Sequence, residues 1–336
     1  MTAFKIVDVA DLTPVDAPFV DLDEVAGRRV VWSRHSGLPH NAIERRIQRP
    51  RLSRYRAAYR AVREATGADA IVSHLPRMSA AVADIGRFTS RSPLHLAFSF
   101  NFTELPSATQ RKRMTAAFAR IDQFCVYSRF EAGLYADAFA IDPARLKPLV
   151  WTQSVPAIDP DAYELPDRPY VVAVGGEGRD FATLIAAARQ LPDLHFLIIA
   201  RPRADLIEVP SNVALRFDIS AIECWTLASG AAALLVPLLG PETCCGHITL
   251  VSGRLLGLPI ITTASRGTAD YTEGFAGTVL IPAQDATALA GAIQGLFDNA
   301  ATAQALADAD RLTAKTLYDR RRWSEYIATW VAAAAD

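Results

Sequence analysis

Two stretches in the second half of the chain carry residue types that suit an anionic ligand. The first is Val174-Gly175-Gly176-Glu177-Gly178-Arg179-Asp180, set between a β-branched run and an amphipathic helical pattern. Its three glycines allow a tight turn and close backbone approach, and the helix that follows presents unpaired N–H groups. Arg179 adds a guanidinium able to hold a phosphate through two hydrogen bonds. A plain turn with a solvated arginine has the same sequence, so the glycines alone leave both readings open. The second stretch, Pro241-Glu242-Thr243-Cys244-Cys245-Gly246-His247-Ile248-Thr249-Leu250-Val251-Ser252, puts small residues ahead of an apolar helical run. Gly246, His247, Ile248 and Thr249 can give N–H groups, and Thr249 a hydroxyl, to phosphate oxygens, with Ser252 further along the same helix. His247 either donates to a phosphate or caps the helix, and its loop position favours the first. Cys244 and Cys245 read as small packing residues.

The first half offers three polar positions after strand-like runs: His35 within Ser33–His40, His74 after Ile71-Val72-Ser73, and Asn101 with Glu104 after Leu94–Phe100. Each is a candidate for binding a second substrate, His35 also for a general base, and each is equally readable as loop polarity. Between Arg45 and Arg63 stand eight arginines (Arg45, Arg46, Arg49, Arg51, Arg54, Arg56, Arg60, Arg63) against Glu44, interleaved with Ile47, Leu52, Tyr55, Tyr59 and Val62. Such a helix suits an anionic membrane surface or a lipid diphosphate, or is a solvated face.

The elements that must position these residues follow from composition and periodicity. With 336 residues, 51% hydrophobic and 21% charged, the chain can bury a core in two domains, which excludes general disorder. A net charge of -1 argues against a nucleic-acid partner recognised through global charge. Four cysteines (Cys125, Cys224, Cys244, Cys245) form no C-x-x-C pair and fit free thiols in a reducing compartment. Asp8, Asp11 and Asp16 interrupt any secretion-signal core. The longest apolar run, Cys224–Leu239, holds Gly230 and Pro237 and reads as a helix end followed by a buried strand. A cytoplasmic protein is expected, peripheral on the inner membrane if the arginine segment binds lipid.

Strand-like and helical runs alternate, which predicts parallel sheets with crossover helices. Candidate strands are Phe4–Val9, Val30–Trp32, Ala70–Ser73, Leu94–Phe100, Phe124–Tyr127 and Leu149–Thr152, then Tyr170–Val174, His195–Ala200, Val213–Phe217, Ala232–Pro237, Pro259–Thr263 and Thr278–Ile281. Ser128 with Glu131 and Ser107 with Gln110 are capping-box patterns, and Asp285 caps a later helix. Pro156, Pro160, Pro166 and Pro169 predict a linker over 154–169. The expected domains are 1–153 and 170–315, both Rossmann-like and doubly wound, with 316–336 a helix returning to the first. Ligands of such α/β sheets bind at the carboxyl ends of the strands.

In order and spacing these motifs resemble the GT-B glycosyltransferases, in particular the large group-1, family-4-like retaining branch. The Gly175–Asp180 loop, Gly257-Leu258-Pro259-Ile260-Ile261-Thr262-Thr263, and Gly267, Ala269-Asp270-Tyr271, Gly274, Gly277, Val279, Pro282 and Asp285 look like its donor domain. Phe124-Cys125-Val126-Tyr127-Ser128 with Ile141-Asp142-Pro143 looks like the end of its acceptor domain. The resemblance implies two domains facing across a cleft and metal-independent sugar transfer, without cofactor, from a nucleoside diphosphate sugar to a glycan or polyprenyl-linked acceptor, as in polysaccharide assembly. The donor would lie on Gly175, Gly176, Glu177, Arg179, Gly246, His247, Ile248, Thr249 and Ser252, and the acceptor near His35, His74 and Asn101. Arg179 would stabilise the departing diphosphate, and Glu177 would approach sugar hydroxyls. The branch's two glutamates eight apart would align with Cys244 and Ser252, so Glu242 stands in for the first and the anomeric outcome is open. An epimerase of the same fold, or a non-catalytic subunit, are the competing readings.

Overall fold

The structure is a computed structural model that describes residues 3–11, 22–25, 27–47, 51–89, 93–166, 169–202 and 208–333, so Asp16 and Arg49 lie outside the described residues. Its contacts divide the chain into two compact units, Met1–Leu149 with Arg320–Asp336, and Val150–Asp319.

The first unit holds β1 (Phe4–Ala10), β2 (Glu24–Val25), β3 (Arg28–Ser36), β4 (Ala70–His74), β5 (Leu94–Phe98), β6 (Gln123–Val126) and β7 (Leu146–Pro148), ordered β2-β3-β1-β4-β5-β6-β7. Every pairing is parallel except β2 with β3. The helices are α1 (Ala42–Arg46), α2 (Leu52–Ala65), α3 (Pro76–Gly86), α4 (Ala108–Phe118) and α5 (Arg129–Phe139). On one face, Val7 and Val9 meet Ala57, Ala61, Val62 and Met78. On the other, Phe100, Phe118, Phe124, Tyr135 and Phe139 form an aromatic cluster with edge-on rings, such as Phe100 and Phe124 at 4.9 Å.

Several strand ends move by a residue or two from the sequence expectation, and two larger differences have a visible cause. β3 runs on to Ser36 because Val9 and Ala10 of β1 pair with His35 and Ser36, which draws polar Ser33–His35 into the strand. No strand covers Leu149–Thr152: Leu149 N donates to Val126 O, the last bond along β6, and Trp151 N turns to the Tyr271 hydroxyl of the second unit. Ser128 Oγ accepts from Glu131 N at 3.2 Å, as the capping box requires, whereas Ser107 starts α4 without a side-chain cap bond. The arginine segment forms two helices, from which Arg54 and Arg56 turn inward. Arg54 Nε donates to Asp11 Oδ2 at 3.0 Å, and Arg56 grips Glu44 through Nε at 2.7 Å while bonding Leu38 O at 2.8 Å. The hydrogen bond from Arg56 holds the Glu44 carboxyl below its ordinary pKa.

The second unit holds β8 (Tyr170–Val174), β9 (His195–Ala200), β10 (Val213–Phe217), β11 (Ala233–Val236), β12 (Ile260–Thr263) and β13 (Thr278–Ile281), all parallel in the order β10-β9-β8-β11-β12-β13. Around them lie α6 (Phe181–Gln190), α7 (Ala221–Ser229), α8 (His247–Leu256), α9 (Ala286–Asp298) and α10 (Ala300–Leu317). The period-2 alternation of β8 serves both faces: Tyr170, Val172 and Val174 join one core with Leu250 and Val251 of α8, while Val171 and Ala173 join the other with Phe181 and Leu184 of α6. Asp180 caps α6 by accepting from Thr183 N at 3.0 Å, and Asp285 caps α9 through Ala288 N at 2.8 Å.

The proline-rich stretch read as a linker is an arm of the second unit. Leu165 packs on its core and Asp159 N donates to Thr226 Oγ1 at 2.8 Å. The chain passes to the first unit again after Asp319, where α11 (Arg321–Ala333) buries Trp323 edge-on against Phe98, 5.0 Å between ring centres. No described helix is long and apolar enough to cross a membrane. Trp323→Ala should destabilise the first unit by roughly 3–5 kcal/mol, the usual cost of deleting a buried aromatic. Denaturant unfolding followed by tryptophan fluorescence and circular dichroism checks this, and a change below about 1 kcal/mol would show that α11 contributes little.

Candidate functional site

In the second sheet, strands are added on one side of β8 toward β10 and on the other toward β13, so the order reverses between β8 and β11. The turns leaving two neighbouring parallel strands at such a reversal diverge to opposite faces and open a crevice at their carboxyl ends. Those turns are Gly175–Asp180 after β8 and 237–246 after β11. They are stitched together by backbone bonds: Asp180 N to Pro237 O at 3.0 Å and Leu239 N to Gly178 O at 3.1 Å.

Gly178, with φ +67°, packs so closely that a Cβ there would lie 2.9 Å from Cys245 Cβ and 3.0 Å from Thr243 Cγ2. A third turn, after β12, closes the back: Ser265 Oγ donates to Thr243 O at 3.1 Å and Arg266 N to Pro241 O at 2.7 Å. Thr263 Oγ1 accepts from Leu238 N at 2.8 Å, so a strand-end threonine fixes the second turn. Sequence reasoning missed Thr263 and Ser265, whose only signal is a hydroxyl at the end of a strand.

Arg179 sits at the centre and is 3% exposed. Its Nε donates to Val174 O at 3.1 Å, one terminal nitrogen to Glu177 O at 3.4 Å, and the other to Thr249 Oγ1 at 2.8 Å. All three acceptors are neutral, and no carboxylate among the described residues pairs with it. Burial pulls its pKa down to about 10, so it is still a cation at neutral pH. The expected free fork is therefore not what the structure shows. Three of the five N–H groups of an arginine are spent on the turns themselves, leaving one on each terminal nitrogen.

The start of α8 lies against this guanidinium: a Cβ on Gly246 would be 3.3 Å from an Arg179 terminal nitrogen. Gly246 has φ +99° and gives no side-chain cap, so the first N–H groups of α8 have no side-chain acceptor from it. Thr249 accepts from Arg179 and keeps its own hydroxyl proton to donate. Ile248 is half-exposed.

His247 departs from its expected role. It is buried, stacked on Tyr271 at 4.6 Å, and its Nε2 lies 3.0 Å from Gly267 O. A carbonyl only accepts, so Nε2 carries the proton; burial lowers the pKa to about 4, and the neutral ring has no second N–H for a phosphate. Ser252 is also buried, its hydroxyl accepting from Gln153 Nε2 at 2.7 Å. It belongs to the packing of the 150–166 arm rather than to a ligand surface. Glu177 is exposed, and Glu242 makes an exposed pair with Arg266 at 2.8 Å. Cys244 and Cys245 are buried free thiols, as expected of packing residues.

In the first unit the three candidates each meet a carboxylate. His35 Nε2 lies 2.9 Å from Glu64 Oε2, His74 Nε2 lies 2.8 Å from Asp8 Oδ1, and Asn101 Nδ2 donates to Glu131 Oε1 at 2.5 Å. His74 is fully buried, which closes it to a ligand, and half-buried Asn101 bonds the Glu131 carboxyl, whose pKa burial raises to about 7. His35 retains a partly exposed ring, with 16% of its side chain accessible. Among the described residues no group of three or more His, Cys, Asp or Glu side chains is arranged to hold a metal ion.

Because His247 has a lower pKa folded than its ordinary 6.5, the unfolded chain binds the extra proton between about pH 4 and 6.5. Its contribution is therefore fully favourable above pH 6.5 and falls away as pH drops to about 4, a loss of roughly 3 kcal/mol. His247→Gln should flatten the fall in Tm over that window, measured by calorimetry against pH; parallel curves would show that the histidine is not the acid-labile group.

No protein-family model matches the chain, and no curated protein sequence does either. Solved structures do. A sucrose-phosphate synthase from Thermosynechococcus elongatus is 18% identical with TM-score 0.68, covering 97% of this chain and 89% of its own. A glycosyltransferase from Rickettsia africae is 12% identical with TM-score 0.69 over 99% of both chains. HepE of Anabaena, solved in complex with UDP, is 12% identical with TM-score 0.71 over 98% of this chain and 100% of its own. Two parallel α/β units wound in this order, matched over almost their whole length by these enzymes, give the chain the GT-B fold of glycosyltransferases.

Proposed function

We propose that this protein transfers a sugar from a nucleoside diphosphate sugar to a glycan or lipid-linked acceptor. The observation that carries the reading is the Arg179 guanidinium, buried with neutral acceptors only and set against the uncapped start of α8. A buried cation without a counter-charge is costly, and a diphosphate at the helix start would supply that charge. Departure of the nucleoside diphosphate builds negative charge where the guanidinium, the helix N–H groups and the Thr249 hydroxyl converge, which is how such a site lowers the barrier. A neighbour of the same fold carries UDP and another of its structures UDP-glucose, which supports the donor class.

On the acceptor side, His35 is the histidine suited to take a proton. Glu64 orients its ring, and partial exposure lets a hydroxyl approach, which burial denies to His74. Glu242 and Glu177 remain the carboxylates available to a sugar ring in this reading. An epimerase would need several acid and base groups around one sugar; among the described residues, the turns after β8 and β11 carry two exposed glutamates, Glu177 and Glu242.

Nucleotide release from UDP-, GDP- and ADP-sugars, measured chromatographically, tests the reading. Arg179→Met should lower kcat on the order of 10²–10³-fold. Thr249→Val, which keeps the shape of the site, should lower it about tenfold, a cost of roughly 1.4 kcal/mol for one lost hydrogen bond. His35→Gln should reduce transfer to acceptor while sparing donor hydrolysis. Failure of every nucleotide to raise the Tm of the wild-type chain, or full turnover in a folded Arg179→Met variant, would overturn the proposal.

A further inference from the structure

The inward pairing of Arg54 and Arg56 sorts the arginine segment into two sets. One set holds the first unit together: Arg54 on buried Asp11, and Arg56 on buried Glu44, which fastens α1 to α2. Among the other described arginines of the segment, Arg51 also faces Asp11 at 3.6 Å, while Arg45, Arg46, Arg60 and Arg63 are exposed. Large apolar side chains are exposed with them, Ile43 at 64% and Tyr59 at 52%, together with Ile47 and Tyr55.

Their spacing puts them on common faces. Ile43 lies on α1 and Ile47 just past its end, while Tyr55, Tyr59 and Arg63 follow at four-residue intervals on α2, away from buried Ala57, Ala58, Ala61 and Ala65. The Arg63 guanidinium lies 5.9 Å from the Tyr59 ring centre. Of the carboxylates on the two helices, Glu44 is buried on Arg56 and Glu64 lies on His35. A soluble surface gains nothing from exposed large apolar groups beside Arg46, Arg60 and Arg63. An interface between water and acyl chains accommodates both, since tyrosine and isoleucine enter the headgroup boundary while arginine reaches lipid phosphates.

We propose that the exposed face of α1 and α2 docks this protein on an anionic lipid bilayer, with Arg46, Arg60 and Arg63 on phosphates and Tyr55 and Tyr59 at the headgroup boundary. This does not depend on the sugar-transfer reading. Co-sedimentation with phosphatidylcholine vesicles, with and without phosphatidylglycerol, tests it using the full chain. The wild type should bind only the anionic vesicles, with binding that weakens as salt rises. Arg46→Ser, Arg60→Ser and Arg63→Ser together should weaken partition on the order of a hundredfold. Tyr55→Ser with Tyr59→Ser should weaken it without altering the salt dependence.

Amide exchange of the wild-type chain, read over residues 42–65 with and without anionic vesicles, keeps the test decisive if a variant misfolds. Slowed exchange there supports the docking face. Unchanged exchange, equal binding by the folded triple variant, or retention on single-stranded RNA in place of vesicles would overturn it.

Discussion

The second unit depends on one interaction, the Arg179 guanidinium bonded into two turns at once. Its Nε closes back on Val174 at the end of β8, while a terminal nitrogen reaches Thr249 in the first turn of α8. The turn after β8 and the helix after β11 are thereby held by a single planar group, so a shift of one moves the other. A side chain with one donor could tie either turn but not both, and lysine lacks the planar fork. The same burial that makes the tie rigid removes water from the cation and strengthens its field at the helix start.

That tie is possible only because the sheet order reverses between β8 and β11. Parallel strands on either side of the reversal send their helices to opposite faces, so their turns separate and leave room for a side chain between them. Gly178 and Gly246 then set how close the turns come. Both hold positive φ, and a Cβ at Gly178 would press on the Cβ of Cys245. Cys245 fits beneath Gly178 because it is small, which gives the paired cysteines a packing role in place of a chemical one. His247 belongs to the same frame: bound to Gly267 O and stacked on Tyr271, it braces the third turn against α8.

Much of the fold was legible because strand-length runs of apolar residues stand between turn and helix signals. β8, β9, β10 and β13 span the residues expected of them. Ser128, Asp180 and Asp285 cap where polar residues precede helical spacing. The misses share a physical cause. Polar Ser33–His35 looked like a loop, but strand length is set by the neighbour, and β1 holds them to Ser36. The proline-rich stretch looked like a linker because proline forbids helix and central strand; it does not forbid an extended arm packed by Leu165 and Trp151. For the site, glycine and arginine spacing located the two turns, yet whether Arg179, His247 and Ser252 point at solvent or inward depends on partners far away in sequence, Thr249, Gly267 and Gln153. No local pattern records those partners.

The other inward-turned arginines show why Arg179 is informative. Arg54 bonds Asp11 and Arg56 bonds Glu44, each within its own unit and each a pairing that offsets the cost of removing charge from water. Arg254, almost wholly buried, lies 3.7 Å over the Phe275 ring, bonds Thr278 and Tyr318, and feels the charge of Asp310. Arg179 is as deeply buried, and its described partners are a carbonyl at each of two atoms and a hydroxyl at the third. Its position at the reversal of the strand order, beside a helix start that has no side-chain cap, is where an incoming anion would supply the counter-charge that Asp11 gives Arg54 and Glu44 gives Arg56.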